Sequence, residues 1–129
     1  MSKFFRYWGP PLVWMSIIFF FSSRESVAVS NVYTWNFVFF KTLHMIEYAG
    51  LYFLLFRAIL QSDKSNDLKK RALTAAFVLA FLYAVSDEIH QTYVPTREGT
   101  FRDVGIDVIG MFLMYSYSKY RFKSISRFL

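Results

Sequence analysis

Four apolar runs separated by polar stretches divide this chain. The first extends from Tyr7 to Phe21, with Pro10-Pro11 near its start and Ser22-Ser23 at its end. The second, Phe37 to Leu60, is interrupted by Lys41, His44 and Glu47, then runs clean from Tyr48 to Phe56. The third begins at Ala72 and is apolar to Val85; the fourth extends from Val104 to Tyr115. Helical runs of about 20 residues, rising roughly 1.5 Å per residue, cross a hydrocarbon core. The pattern therefore predicts an all-α polytopic membrane protein, one domain over residues 1–129, with four transmembrane helices near 7–23, 41–60, 72–91 and 103–119.

The links sharpen that reading. Residues 24–36 are polar, with Tyr33 and Trp35 suited to a membrane interface. Residues 61–71 form a charged hydrophilic loop. Thr100-Phe101-Arg102-Asp103 reads as a capping box, predicting a helix start at Thr100 and reciprocal bonds between Thr100 and Asp103. A basic start, a short apolar core and Ala28-Val29-Ser30 also resemble a cleavable signal peptide. Arg24-Glu25 ahead of the small residues, and the later apolar runs, favour a retained first span.

Composition agrees with a bilayer setting. Hydrophobic residues make up 55% and aromatics 22% of 129 residues, more than a soluble domain of this size has interior to hide. Mean hydropathy is only +0.29, because Tyr and Trp score low on that scale although they suit membrane interfaces. With no cysteine there is no disulfide framework, thiolate metal site or Cys nucleophile. The net charge of +6 would suit nucleic acid, but its distribution says otherwise. Four spans place both termini and the 61–71 loop on one side, and that side holds 11 of the 15 Lys and Arg. The other side holds Arg24, Lys41, Arg97 and Arg102 against seven of the nine acids. The positive-inside rule then puts both termini in the cytoplasm. No nucleic-acid partner is expected; the lipid bilayer is.

The outward end gathers the candidate chemistry. In the second run Lys41, His44 and Tyr48 share one stripe, flanked by Glu47. In the third, Asp87, Glu88, His90 and Gln91 lie together at the end of the span; in the fourth, Asp103, Asp107 and Gly110 share a face. If helix two starts at Lys41, these groups reach similar depth, with Ser22, Ser23 and Arg24 arriving at the same level. Ionisable groups so placed are costly unless paired, hydrated or used.

Each part has a plainer reading. Lys41 can snorkel, Ser22-Ser23 can be a helix end, Asp103 a cap, and Met111 and Met114 core. The set can also be a structural ion-pair network, Arg97 and Arg102 against Asp87, Glu88 and Asp107. Imidazole and carboxylate make a metal site from His44, Glu47, Glu88 and His90 chemically possible, but no His-Glu-x-x-His spacing supports it. No metal and no cofactor is expected.

The string Asp87-Glu88-Ile89-His90-Gln91, then Tyr93-Val94-Pro95, Arg97, Asp103 and Gly110, resembles the VanZ-like family of small bacterial membrane proteins. Phe21-Ser22-Ser23 and the Lys41, His44, Tyr48 set support the match, which covers nearly the whole chain. Two positions depart: Thr96 stands where a glycine is expected before the arginine, and Asp107 where an asparagine is common. The family is named for a protein that raises resistance to the glycopeptide teicoplanin. The resemblance implies an outward-facing site for a cell-envelope ligand in the bacterial cytoplasmic membrane.

Two classes of function follow. In the first, an outer pocket binds an envelope amphiphile or glycopeptide through Lys41, His44, Glu47, Gln91, Arg97, Asp103 and Asp107. In the second, a membrane enzyme acts on a lipid-linked or phosphorylated substrate, with Asp87 or Glu88 and His90 as base and acid and Arg97 holding an anionic group. Binding ranks first, since the residues show no secure nucleophile–base pair. Polar groups at one end rather than the midplane argue against a transporter.

Overall fold

The computed structural model describes residues 2–61, 65–125 and 127, so Asp63 and Lys64 of the charged loop lie outside the described residues. It is all-helical, with four long helices and a short fifth: α1 Lys3–Ser22, α2 Tyr33–Ile59, α3 Asn66–Gln91, α4 Phe101–Tyr120 and α5 Phe122–Ile125. α2 is the axis of the bundle and packs against α1, α3 and α4, whereas α1 and α4 do not meet among the described residues.

Two helices start well before the expected points. α2 begins at Tyr33, so Lys41 sits eight residues in, about 12 Å from the helix start at 1.5 Å per residue. Tyr33 and Trp35, assigned to a polar link, belong to this first turn. α3 takes in most of the charged loop; Ser65 caps it by accepting a hydrogen bond from the Leu68 N–H. Hydropathy locates the apolar part of a helix but not the polar turns that extend it.

The core has a large-against-small design. Tyr48, Tyr52 and Phe56 of α2, each four residues apart, are fully buried, as are Ala72, Ala76, Ala80 and Ala84 of α3. Both stripes belong to one core cluster, and Tyr52 donates its hydroxyl to the Leu73 carbonyl at 3.3 Å. Small residues on one helix let bulky rings of the next approach its backbone. Between α2 and α4 the small residue is Gly110: a Cβ there would collide with the Met45 carbonyl oxygen and come within 2.9 Å of its carbon.

The outside is as apolar as the inside. Phe5, Val13, Phe20, Leu82, Phe112 and Leu113 are all exposed on helices. α2 and α3 are long and apolar enough to cross a membrane, and only 22% and 39% of their apolar windows are buried. A core helix of a soluble protein would be mostly buried, so these two fit a membrane protein. α1 and α4 do not reach that apolarity: Arg6, Trp8, Pro10, Pro11 and Trp14 dilute the first, and Arg102, Asp103 and Asp107 the second.

Candidate functional site

The polar side chains predicted to converge do so at one end of the bundle, and they form three linked groups. The first joins α1 to α3. Ser22 donates its hydroxyl to Asp87 Oδ2 at 2.7 Å, and Gln91 Nε2 donates to the same oxygen at 3.2 Å. Ser22, Asp87 and Gln91 are all buried. The i, i+4 spacing of Asp87 and Gln91 puts both on one face, and Ser22 meets them because α1 ends there. Ser22 is thus more than a helix end: it donates to one oxygen of a buried carboxylate, whose other oxygen has no hydrogen-bond partner.

The second group joins α2 to α4. Lys41 Nζ lies 2.7 Å from Asp103 Oδ1, and His44 Nδ1 lies 3.6 Å from Asp107 Oδ1. Three residues on α2 match four on α4, the pairing expected of helices in close contact. Gly110 permits that contact. Lys41 therefore forms an ion pair rather than merely snorkelling.

The third group ties α4 back to α3. Thr100 Oγ1 accepts from the Asp103 N–H at 3.3 Å, which is half of the predicted capping box. The reciprocal half is absent among the described residues. Thr100 N–H donates instead to Glu88 Oε2 at 3.3 Å, and the Asp103 carboxylate faces Lys41. A full charge on a neighbouring helix outcompetes a local amide for a carboxylate.

Arg97 and His90 are placed differently from expectation. Arg97 Nε donates to the Arg24 carbonyl at 2.9 Å and its Nη2 to the Phe21 carbonyl at 3.2 Å. It closes the C-terminal end of α1, where unpaired carbonyls and the helix dipole favour a cation. Arg102 Nε lies 3.9 Å from Asp103 and its guanidinium stands over the Phe37 ring. The proposed network of these two arginines with Asp87, Glu88 and Asp107 is therefore not the one formed. His90 stacks on Phe19, with ring centroids 4.6 Å apart, and shares a 2.9 Å hydrogen bond with Ser23 Oγ. At i+3 from Asp87 it turns towards α1, while Glu88 turns towards α4. The quartet His44, Glu47, Glu88 and His90 is not assembled; His44, Glu88 and Asp107 come together instead.

The loop between α3 and α4 is ordered by contacts that sequence reasoning missed. Thr96 adopts φ 64°, the left-handed region where glycine is at ease. This is the very position where the family pattern suggests glycine. Thr96 is held there by its partners: Ser26 N–H donates to Thr96 Oγ1 at 2.9 Å, and Ser26 Oγ donates to the Thr96 carbonyl at 3.0 Å. Gly99 has no positive φ. It is needed because a Cβ would collide with the Glu88 carbonyl oxygen and meet Thr92 Cγ2 at 2.8 Å.

A family model described as VanZ/LLP1 matches residues 7–122. The chain belongs to the VanZ/LLP1 family. No curated protein and no solved structure matches it. The matched stretch runs from the early part of α1 to the start of α5, so it contains all three groups.

Two clefts open at this end of the VanZ/LLP1 bundle. One, of about 410 Å³, lies between the end of α1 and α2 and is lined by Phe21, Phe40, Leu43, His44, Glu47 and Arg97, among others. The other, also about 410 Å³, is lined by Phe37, Lys41, Gln91, Arg97, Arg102 and Asp103, among others. Val27, Phe40 and Arg97 line both, so they form the partition. Every expected binding residue except Asp107 borders one of the clefts. Asp107 lies behind His44, fully buried.

Proposed function

We propose that all four long helices span the bacterial cytoplasmic membrane, with both termini cytoplasmic, and that the α1–α2 cleft binds a cell-envelope amphiphile or glycopeptide. The topology rests on the distribution of Lys and Arg and on the apolar exterior of the bundle. α4 can cross despite its lower apolarity because Asp103, Asp107 and Ser118 are buried in the bundle, while the exposed Arg102 and Lys119 lie at its two ends. Since the chain has no cysteine, single introduced thiols report its sidedness. In intact cells a membrane-impermeant thiol reagent should label Glu98→Cys and spare Lys70→Cys; labelling of Lys70→Cys refutes the topology.

One observation carries the binding reading: the lining of the cleft is itself amphiphilic. Its lining combines apolar Phe21, Val27, Phe40 and Leu43 with charged Arg24, Glu25, Glu47 and Arg97. A largely apolar cavity with a few convergent polar groups is how proteins hold small amphiphiles. Acid–base catalysis by Asp87 or Glu88 with His90 loses ground, because His90 faces Phe19 and Ser23. Glycopeptide resistance is the phenotype this reading extends to. The test is to fill the cleft. Leu43→Trp, at a half-exposed position, should leave the melting temperature of detergent-solubilised protein within a few degrees. It should abolish the thermal shift produced by teicoplanin or by dioleoylphosphatidylglycerol. An undiminished shift in that variant would remove the cleft as the binding site.

A further inference from the structure

We propose that His44, Glu88 and Asp107 form a binding site for a divalent first-row transition-metal ion, one ligand each from α2, α3 and α4. Their donor atoms all lie within 4.8 Å of one another. Metal–donor bonds of roughly 2.1 Å bring donors to about 3.0–3.5 Å apart, a closure that side-chain torsions can supply.

Proximity of acids alone would mean little. The decisive feature is what these groups lack. Asp107 is 1% exposed; its Oδ1 faces the His44 ring at the ion-pair distance of 3.6 Å, but neither of its carboxylate oxygens has a hydrogen-bond partner. His44 Nδ1 is likewise buried without one, since 3.6 Å to Asp107 is beyond hydrogen-bond range. A buried carboxylate with no hydrogen bond to either oxygen is expensive in any protein. A cation between these donors would satisfy both at once.

The surroundings fit that role. Lys41, the cation best placed to compete, is engaged by Asp103 at 2.7 Å. Glu88 is oriented by two donors: Thr100 N–H at 3.3 Å to Oε2, and Gln91 Nε2 at 3.5 Å to Oε1. Hydrogen bonds of this kind fix a ligand carboxylate in place. The contact of Gly110 with the Met45 backbone holds α4 close to α2, one residue from His44 on one side and three from Asp107 on the other. As metal ligands the two carboxylates would be ionised and the imidazole neutral, a combined charge of −2 that a divalent ion cancels. Mixed imidazole and carboxylate donors select zinc, manganese or iron over magnesium and calcium. Of the three, His44 also lines the α1–α2 cleft. The inference does not depend on the identity, or the existence, of an organic ligand in that cleft.

The test uses full-length protein purified in detergent without a polyhistidine tag and stripped with a chelator. Equilibrium dialysis against buffered Zn²⁺ or Mn²⁺, read by elemental analysis, should give close to one ion per chain. Asp107→Asn and Glu88→Gln should each weaken binding at least tenfold, whereas Asp67→Asn, in the first turn of α3 and at the opposite end of that helix from Glu88, should not. In His90→Gln the chain's only remaining imidazole is His44. Bound Mn²⁺ in that variant should show nitrogen coupling from one imidazole in pulsed electron paramagnetic resonance. Substoichiometric, non-saturable uptake by the wild type would overturn the site, as would the absence of nitrogen coupling. Should the acid variants not fold, stoichiometry and nitrogen coupling still decide.

Discussion

Replacing Gly110 with valine is expected to leave no folded, monodisperse protein in detergent. In an exposed helix interior, glycine to alanine is favourable by about 0.8–1.0 kcal/mol. At Gly110 the sign reverses, because the first added carbon meets the Met45 carbonyl, which is backbone and cannot rotate away. α2 and α4 would have to separate. Overpacking of a tight core typically costs about 1–3 kcal/mol, and a β-branched side chain against a fixed carbonyl should exceed the top of that range. Separation would also lengthen Lys41–Asp103 and His44–Asp107, so the loss would spread into the polar cluster. Against a total stability of about 5–15 kcal/mol, this is a large fraction. Gly110→Ala should remain folded but melt well below wild type. Gly105→Ala, where nothing lies within 4 Å of the new carbon, should melt at or above it. Equal melting temperatures for these two alanine variants would refute the close approach of α2 and α4.

The second large effect is expected from Lys41→Met, which strands Asp103. The Asp103 side chain is 7% exposed and the Lys41 side chain 21%. Removing one partner of a fully buried pair costs about 3–5 kcal/mol. Partial exposure of the lysine screens the interaction, and Arg102 at 3.9 Å from Asp103 supplies a weak substitute. A loss of about 2 kcal/mol is therefore expected. Lys41→Met with Asp103→Asn should recover most of it, since neither charge then remains. Thermal or denaturant unfolding of the two single variants and the double variant measures the coupling. Strict additivity would show that the 2.7 Å pair contributes nothing.

Much of this architecture could be read from the chain, for identifiable reasons. The apolar runs reported four helices because burying backbone in lipid or protein requires long uninterrupted segments. The convergence of Lys41, His44, Asp87, Asp103 and Asp107 followed from chain direction and helical spacing alone. The early starts of α2 and α3 did not, because Tyr33 to Asn36 and Asn66 to Arg71 are helical through local backbone bonding that hydropathy does not register. Nor did the partners of Arg97 and His90. Periodicity places a residue on a face, but not which neighbour it reaches across a loop. Arg97 finds carbonyls of α1 because that helix ends beside it, a fact of tertiary packing. Thr96 offered a usable signal: a departure from glycine before the arginine marked a backbone conformation that some other contact had to enforce. That contact proved to be Ser26, seventy residues away in the chain.

The cleft between α1 and α2 has one wall made of residues that also face outward. Phe21 and Leu43 line it and are exposed on the bundle surface. On the proposed topology these two residues would face the outer leaflet, and an opening beside them would admit molecules from the side rather than from water. A lipid-tailed molecule would then enter by diffusing in the plane of the bilayer, and its acyl chain would never cross an aqueous phase. Occupancy would follow the mole fraction of the ligand among the surrounding lipids, not its concentration in solution. Two membranes of different lipid composition would thus load the same protein to different extents, with no change in the protein itself.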